Sequence, residues 1–156
     1  MKKVFVSGSM SIKKLDGLVL ESLNKIMSLN MRILVGNARG VDKLVQEYCV
    51  KNSYYNVVVY SIRNIHRNLI PDKFGFKWIS AGNLTGRKAY EKKDEAMTRD
   101  SDYSFVIWDG KSKGSLNNII RAIKSNQKIK VFYQKDKRFL EKHELSKLIY
   151  ILKGRR

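Results

Sequence analysis

The chain has one cysteine, so no disulfide framework is available to it. Cys49 falls on an apolar helical face with Leu44, Val45 and Tyr48, which reads as core filling rather than a reactive thiol. Its two histidines, His66 and His143, stand apart from each other and from any cysteine at ligand spacing, so no metal site is expected. No apolar run approaches the roughly 20 residues of a membrane span, and the amino terminus enters a strand without a secretory leader. With a lone buried thiol, these features make a cytoplasmic location the expectation. A Gly-x-Ser-x-Gly elbow and a Walker loop are both missing, which disfavours serine hydrolase and nucleoside triphosphatase chemistry. No internal repeat or low-complexity linker divides the 156 residues, and a single domain is expected over 1–156.

Acidic residues are also scarce. Asp and Glu number 14 against 32 Lys and Arg, a formal charge of +18. Such a surface attracts nucleic acid, acidic surfaces or polyanionic small molecules. The basic residues are dispersed, with mild clusters at Lys2-Lys3, Lys92-Lys93, 135–138 and 153–156, which favours a lysine-rich bias over solvated faces above specific nucleic-acid binding.

Strand and helix patterns alternate along the chain. Val4-Phe5-Val6, 32–35, 56–60, Tyr103–Trp108 and 128–133 read as short buried strands. Between them, Leu15, Leu18, Val19, Ile26 and Leu29 mark a helix over about 13–29, and Val41, Leu44, Val45, Tyr48 and Cys49 mark the next. Residues 86–99 form a charged helix with Ala89, Lys93, Ala96 and Met97 on one side, and Leu116, Ile119, Ile120 and Ile123 follow the fourth strand. A last amphipathic helix is expected over about 138–153, with a fraying basic tail beyond it. This alternation predicts a parallel sheet covered by helices on both faces, with right-handed crossovers. From Ser61 to about Ser80, around the single proline Pro71, the pattern is lost, and a connection of that length is usually functional or mobile.

Three strand-to-helix junctions are rich in small residues: Ser7–Ser11, Gly36–Gly40 and Asp109–Ser115. In a parallel sheet all of them lie on one edge, where open α/β sheets hold ligands. Helix amino termini offer unpaired amides and partial positive charge. Together the junctions point to a phosphate-bearing ligand, with Gly8, Ser9, Gly36, Arg39, Gly40, Gly114 and Ser115 on the phosphate and Met10, Gly110 and Ser112 beside them. Gly114 permits close backbone approach, and Arg39 would add a charge-assisted bond. Asp42 is either a first-turn helix residue or a partner for ribose or base, and Asp109 either contacts a ligand hydroxyl or starts a turn. Asp94 and Glu95 lie on the charged helix, where solvated ion pairs are the ordinary outcome.

At these residues the chain resembles the SLOG superfamily of Rossmann-like nucleotide-ligand domains, which includes the LOG phosphoribohydrolases, the DNA-processing protein A family and the YpsA-like proteins. Gly36-Asn37-Ala38-Arg39-Gly40-Val41-Asp42 is similar to the Gly-Gly-Ala-Arg-Gly-Ala-Asp signature of the YpsA-like branch. Lys93-Asp94-Glu95-Ala96-Met97 stands where that branch has Arg-Asn-x-x-Met, and Asp109–Ser115 resembles its Gly-rich loop. The resemblance runs over a core of residues 3–133. It implies a three-layer α/β Rossmann-like fold with a mostly parallel sheet of about five strands. It also implies a nucleotide or nucleotide-derived ligand, held by a sensor or sequestering module in a homodimer or larger assembly, with no cofactor. Two departures bear on activity. Asn117 and Asn118 occupy the region of the LOG glutamate, and Lys93 replaces its arginine; an amide cannot serve as a general base. Ser-Gly-Ser-Met at 7–10 is also similar to nucleoside deoxyribosyltransferases, which use a carboxylate nucleophile; Glu91, Asp94 or Glu95 are the residues to try there. No catalytic residue is assigned. N-glycosidic hydrolysis or transfer and nucleic-acid binding stand as the alternatives to ligand sensing.

Overall fold

The structure, a computed structural model, describes residues 1–64 and 70–154. His66 and the terminal Arg155-Arg156 lie outside the described residues. β1 (Lys3–Gly8) leads to α1 (Gly17–Ser28), β2 (Arg32–Val35), α2 (Val41–Lys51) and β3 (Val57–Ser61). β4 (Gly75–Trp78), α3 (Gly86–Asp100), β5 (Tyr103–Trp108) and α4 (Lys113–Lys124) follow, and β6 (Lys128–Tyr133), β7 (Arg138–Phe139) and α5 (Lys142–Gly154) complete the chain. The sheet order is β4-β3-β2-β1-β5-β6-β7, with every pairing parallel except that of β6 with β7.

Side-chain alternation along the strands divides the core into layers. Val4 and Val6 of β1, Ile33 and Val35 of β2 and Phe105 and Ile107 of β5 pack with Val19, Leu23, Val41, Val45 and Cys49 of α1 and α2. On the opposite face, Phe5, Leu34 and Tyr60 meet Met97 of α3, while Val106, Trp108 and Val131 meet Ile119 of α4 and Leu145 of α5. The expected three-layer, mostly parallel Rossmann-like architecture is therefore present. Cys49 is fully buried, and burial pushes its thiol up to about 12, which leaves it an inert core residue. No helix among the described residues is long and apolar enough to cross a membrane.

The departures from the sequence reading are local. The sheet has seven strands rather than about five, because β4 and β7 are short edge strands without a buried face to mark them. Of β4 only Phe76 is partly covered; Gly75, Lys77 and Trp78 are exposed, so no period-2 signal survives. The stretch around Pro71 is accordingly not patternless: Ile70 and Phe74 are buried in the core on the α1/α2 side. Helix α1 begins at Gly17 because the Asp16 side chain accepts the Leu18 amide at 2.9 Å; Ile12 and Leu15 are buried in the preceding turn and mimic a helical face. Near the carboxyl end, residues 138–139 join the sheet. The guanidinium of Arg138 donates to both oxygens of Glu144 at 2.8 and 2.7 Å, which pins β7 to the first turn of α5.

Phe74→Ala should lower the unfolding free energy by about 3–5 kcal/mol, as for a fully buried core phenylalanine. Urea denaturation measures this. A loss under about 1 kcal/mol would mean that the segment from Ile70 to Trp78 is not integral to the fold.

Candidate functional site

Strands β2, β3 and β4 are laid down on one side of β1, while β5 and β6 lie on the other. The order reverses between β1 and β5, and it is at such a switch point, in the crevice outside the carboxyl ends of the strands, that open α/β sheets hold their ligands. The loops after β1, β2 and β5 converge at this point, and Ser9 ties them together. Its amide donates to the Ile107 carbonyl at 3.0 Å, and its hydroxyl accepts the Asp109 amide at 3.0 Å. The same hydroxyl lies 3.3 Å from Ser115 Oγ, and the Ser9 carbonyl accepts the Val41 amide at 3.4 Å. One serine, only 1% exposed, thus touches β5, the β5–α4 loop, the start of α4 and the start of α2.

Two glycines make this closeness feasible. A Cβ at Gly8 would lie 2.5 Å from both the Ile107 carbonyl oxygen and Val41 Cγ2. Gly40 has φ +77°, and a Cβ there would lie 2.5 Å from the Met10 Cα. Met10 is thereby clamped at the backbone while its side chain stays 55% exposed at the mouth of the crevice.

The Gly36–Gly40 loop is held from below. Gln46 Nε2 donates to the Gly36 carbonyl at 2.9 Å, Lys43 Nζ to Asn37 Oδ1 at 3.0 Å, and the Ala38 amide to Asp42 Oδ2 at 3.0 Å. Asp42 is buried, so its first-turn placement serves the loop rather than a solvated helix start. Lys93 of α3, only 8% exposed, reaches the same place: a Cβ at Gly36 would lie 2.6 Å from Asp42 Oδ2 and 2.7 Å from Lys93 Nζ. Asp94 pairs with Lys93 at 3.3 Å. The run Lys92-Lys93 is therefore split between an exposed and a buried cation, and Lys93 contributes nothing to surface charge. Burial pushes the Asp42 carboxyl up to about 6, against the pull of Lys93 and of the Ala38 amide, with Asp94 adding to the rise.

The Asp109–Ser115 loop is a built turn. Asp109 Oδ1 accepts the amides of Lys111 and Ser112, each at 2.8 Å, and Oδ2 accepts the Ser11 hydroxyl at 2.6 Å. Burial opposes ionisation here, but hydrogen bonds from Ser11, Ser112 and Lys111 outweigh it and hold the carboxyl down at about 2. Gly110, at φ +86°, lies under the Tyr133 ring, and Ser112 caps α4 by accepting the Ser115 amide at 3.3 Å. The amides of Lys113 and Gly114 have no acceptor among the described residues.

Of the residues singled out on sequence, Gly8, Ser9, Met10, Gly40, Asp109, Gly110, Ser112, Gly114 and Ser115 come together around the Ser9 crossing. Gly36, Asp42 and Asp94 form an adjoining group around Lys93. Arg39 is exposed at the rim between them and forms no ion pair among the described residues. Asn118, one of the two asparagines that follow the third small-residue loop, is buried and accepts from Arg121 Nη1 at 2.6 Å. Sequence reasoning passed over two hydroxyls. Ser11 anchors Asp109, and Ser7 is buried with no partner for its hydroxyl. The alternation of β1 could have flagged Ser7, because it falls on the same sheet face as Phe5, one repeat nearer the crevice.

The fold is that of an open, doubly wound α/β domain, and the three loops meet at its switch point. Among solved structures, the chain is similar to DNA processing protein A from Helicobacter pylori, a structure described as showing a unique single-stranded DNA binding mode. The likeness has a TM-score of 0.62 at 16% sequence identity, over 85% of this chain. The chain spans 66% of the length of that protein, and the likeness is one of fold. No protein-family profile and no curated protein matches the chain.

Gly40→Ala should destabilise the protein by about 2 kcal/mol or more, since it combines a left-handed backbone with a collision against the Met10 main chain. Calorimetry on the variant, with the unobstructed Gly82→Ala as a control for the positive φ alone, separates the two contributions. Asp42 makes a prediction in pH. Between about 4 and 6 the folded chain keeps a proton on this carboxyl that the unfolded chain releases, so its contribution to stability falls as pH rises through that window. Urea unfolding of the native protein should lose on the order of 2–3 kcal/mol from this group between pH 4 and 7. Asp42→Asn, which keeps the acceptor for Ala38, should flatten that slope; an unchanged slope would place its source elsewhere.

Proposed function

We propose that the crevice between β1 and β5 binds the phosphate of a nucleotide or nucleotide-derived ligand, and that the domain is of the SLOG type and acts as a sensor or sequestering module. One observation carries this reading. Gly114 stands in the first turn of α4 with nothing within 4 Å of where a Cβ would be, and at a φ that any residue adopts. Glycine in a helix costs roughly 0.5–1 kcal/mol relative to alanine. Gly40 and Gly110 answer to local contacts, but the fold gives no reason for glycine at 114. A ligand phosphate lying directly against the backbone supplies that reason, and the unpartnered amides of Lys113 and Gly114 are its donors. Gly17 is equally unobstructed, but it opens α1 outside the crevice. Ser7 and Arg39 supply a buried hydroxyl and an unpaired guanidinium at the same edge.

A hydrolase or transferase reading draws less support. Asp42 accepts from the loop backbone, Asp94 is paired with Lys93, and the region of the LOG glutamate holds Asn117 and Asn118, the latter accepting from Arg121. A second reading, in which the bound phosphate belongs to a single strand of nucleic acid, is favoured by the charge around the crevice. Arg39, Lys111 and Lys113 are exposed there without ion pairs among the described residues, while Asp100 and Glu144 are drawn into pairs elsewhere with Lys77 and Arg138. The DNA-binding protein that shares the fold supports the same reading.

Gly114→Ala tests the crevice directly. In the free protein it should raise stability by about 0.5–1 kcal/mol, because it improves an exposed helix position. It should also weaken binding in a thermal-shift panel of AMP, ADP-ribose, NAD and a single-stranded oligonucleotide by tenfold or more, about 1.4 kcal/mol. Unchanged binding of every ligand that shifts the native protein would remove the phosphate from this helix start.

A further inference from the structure

Trp78 has no role in the crevice or the core. It is 51% exposed, whereas the chain's other tryptophan, Trp108, is 6% exposed and donates its indole N–H to the Ser112 carbonyl at 3.0 Å. Trp78 is nonetheless held in place, because its own indole N–H donates to the Ile62 carbonyl at 3.2 Å. An aromatic ring fixed at one edge and half in water has already lost the freedom it would otherwise lose on binding. Its position is specific: Trp78 pairs with Ser61 at the carboxyl end of β4, so it lies on the same sheet edge as the crevice loops. Three strand spacings separate β4 from β1, roughly 15 Å. Exposed cations occupy that edge. Arg63 directly follows Ile62, and Arg87 and Lys88 stand in the first turn of α3; none of them forms an ion pair among the described residues. On an exposed edge strand an uncovered tryptophan invites aggregation, so its retention calls for a use.

We propose that Trp78 is a base-stacking platform for single-stranded nucleic acid, at the far end of a track along the carboxyl edge of the sheet that starts at the Ser9 crevice. The inference rests on the nucleic-acid reading above. A strand whose phosphate sits at the start of α4 would run past Gly36 and Arg39 toward β4 and set a base on the indole. The +18 charge is complementary to such a polyanion, and stacking tolerates any base.

The test uses the full chain, a fluorescein-labelled oligothymidylate and AMP. Oligonucleotide should quench tryptophan emission, since the exposed indole is the one it covers. Trp78→Ala should weaken oligonucleotide binding by about 5- to 100-fold and leave AMP binding unchanged, and Trp78→Phe should retain most of the affinity. Tyr150→Ala, which removes an 80% exposed aromatic from α5, should bind like the native protein. Equal affinity of Trp78→Ala and native protein would overturn the proposal, as would a Trp78→Phe variant as weak as the alanine one. Concentration-dependent self-association abolished by Trp78→Ala, without an effect on oligonucleotide, would assign the indole to contact between copies and overturn it as well. If the native protein binds no oligonucleotide even at low salt, the nucleic-acid reading itself fails, and AMP binding then decides the crevice separately.

Discussion

The site depends on a single buried serine. Ser9 presents an amide, a carbonyl and a hydroxyl, and each is used to fasten a different piece of chain across the reversal in strand order. Each such bond is worth about 0.5–1.5 kcal/mol net, so none is strong alone. Their effect is geometric: they fix the starts of α2 and α4 relative to one another. The two helix amino termini are thereby held in one fixed arrangement at the carboxyl edge of the sheet.

Around that crossing the charged groups divide by task. Asp109 and Asp42 are both at the crevice edge, yet each faces inward to backbone amides and shapes a loop. Their ionisation diverges for a physical reason: Asp109 gathers enough donors to overcome its burial, whereas Asp42 gathers one amide and stays costly to charge. Lys93 partly relieves that cost from the opposite face of the sheet. The cations that remain uncommitted, Arg39, Lys111 and Lys113, are the exposed ones.

The layer structure and the meeting of the three small-residue loops on one sheet edge were legible in the sequence, because buried strands and amphipathic helices leave periodic marks. Val4 and Val6 against Phe5, and the spacing of Leu116, Ile119 and Ile123, are enough to predict strand and helix. What escaped notice lacks such a mark. β4 buries no face, and β7 is too short to alternate. Ile12 and Leu15 keep a helical spacing in a turn, and only the Asp16 cap shows where α1 begins. Within the site, the loops could be found from their glycines, but the tasks of individual residues could not. Whether Asp109 serves a ligand or a turn is decided by amides at 2.8 Å that no composition records. Lys93 reads as half of a surface basic pair until the sheet places it against Gly36.

The crossing at Ser9 also has a temporal side. Its partners at Asp109 and Ser115 lie 100 and 106 residues further along the chain. Contacts of such separation close large loops and are slow to form, because chain entropy is lost before they give anything back. During synthesis, β1 and α1 leave the ribosome long before α4 exists. The crossing is absent from every shorter nascent chain, and it comes into being only when the second half of the sheet docks against β1.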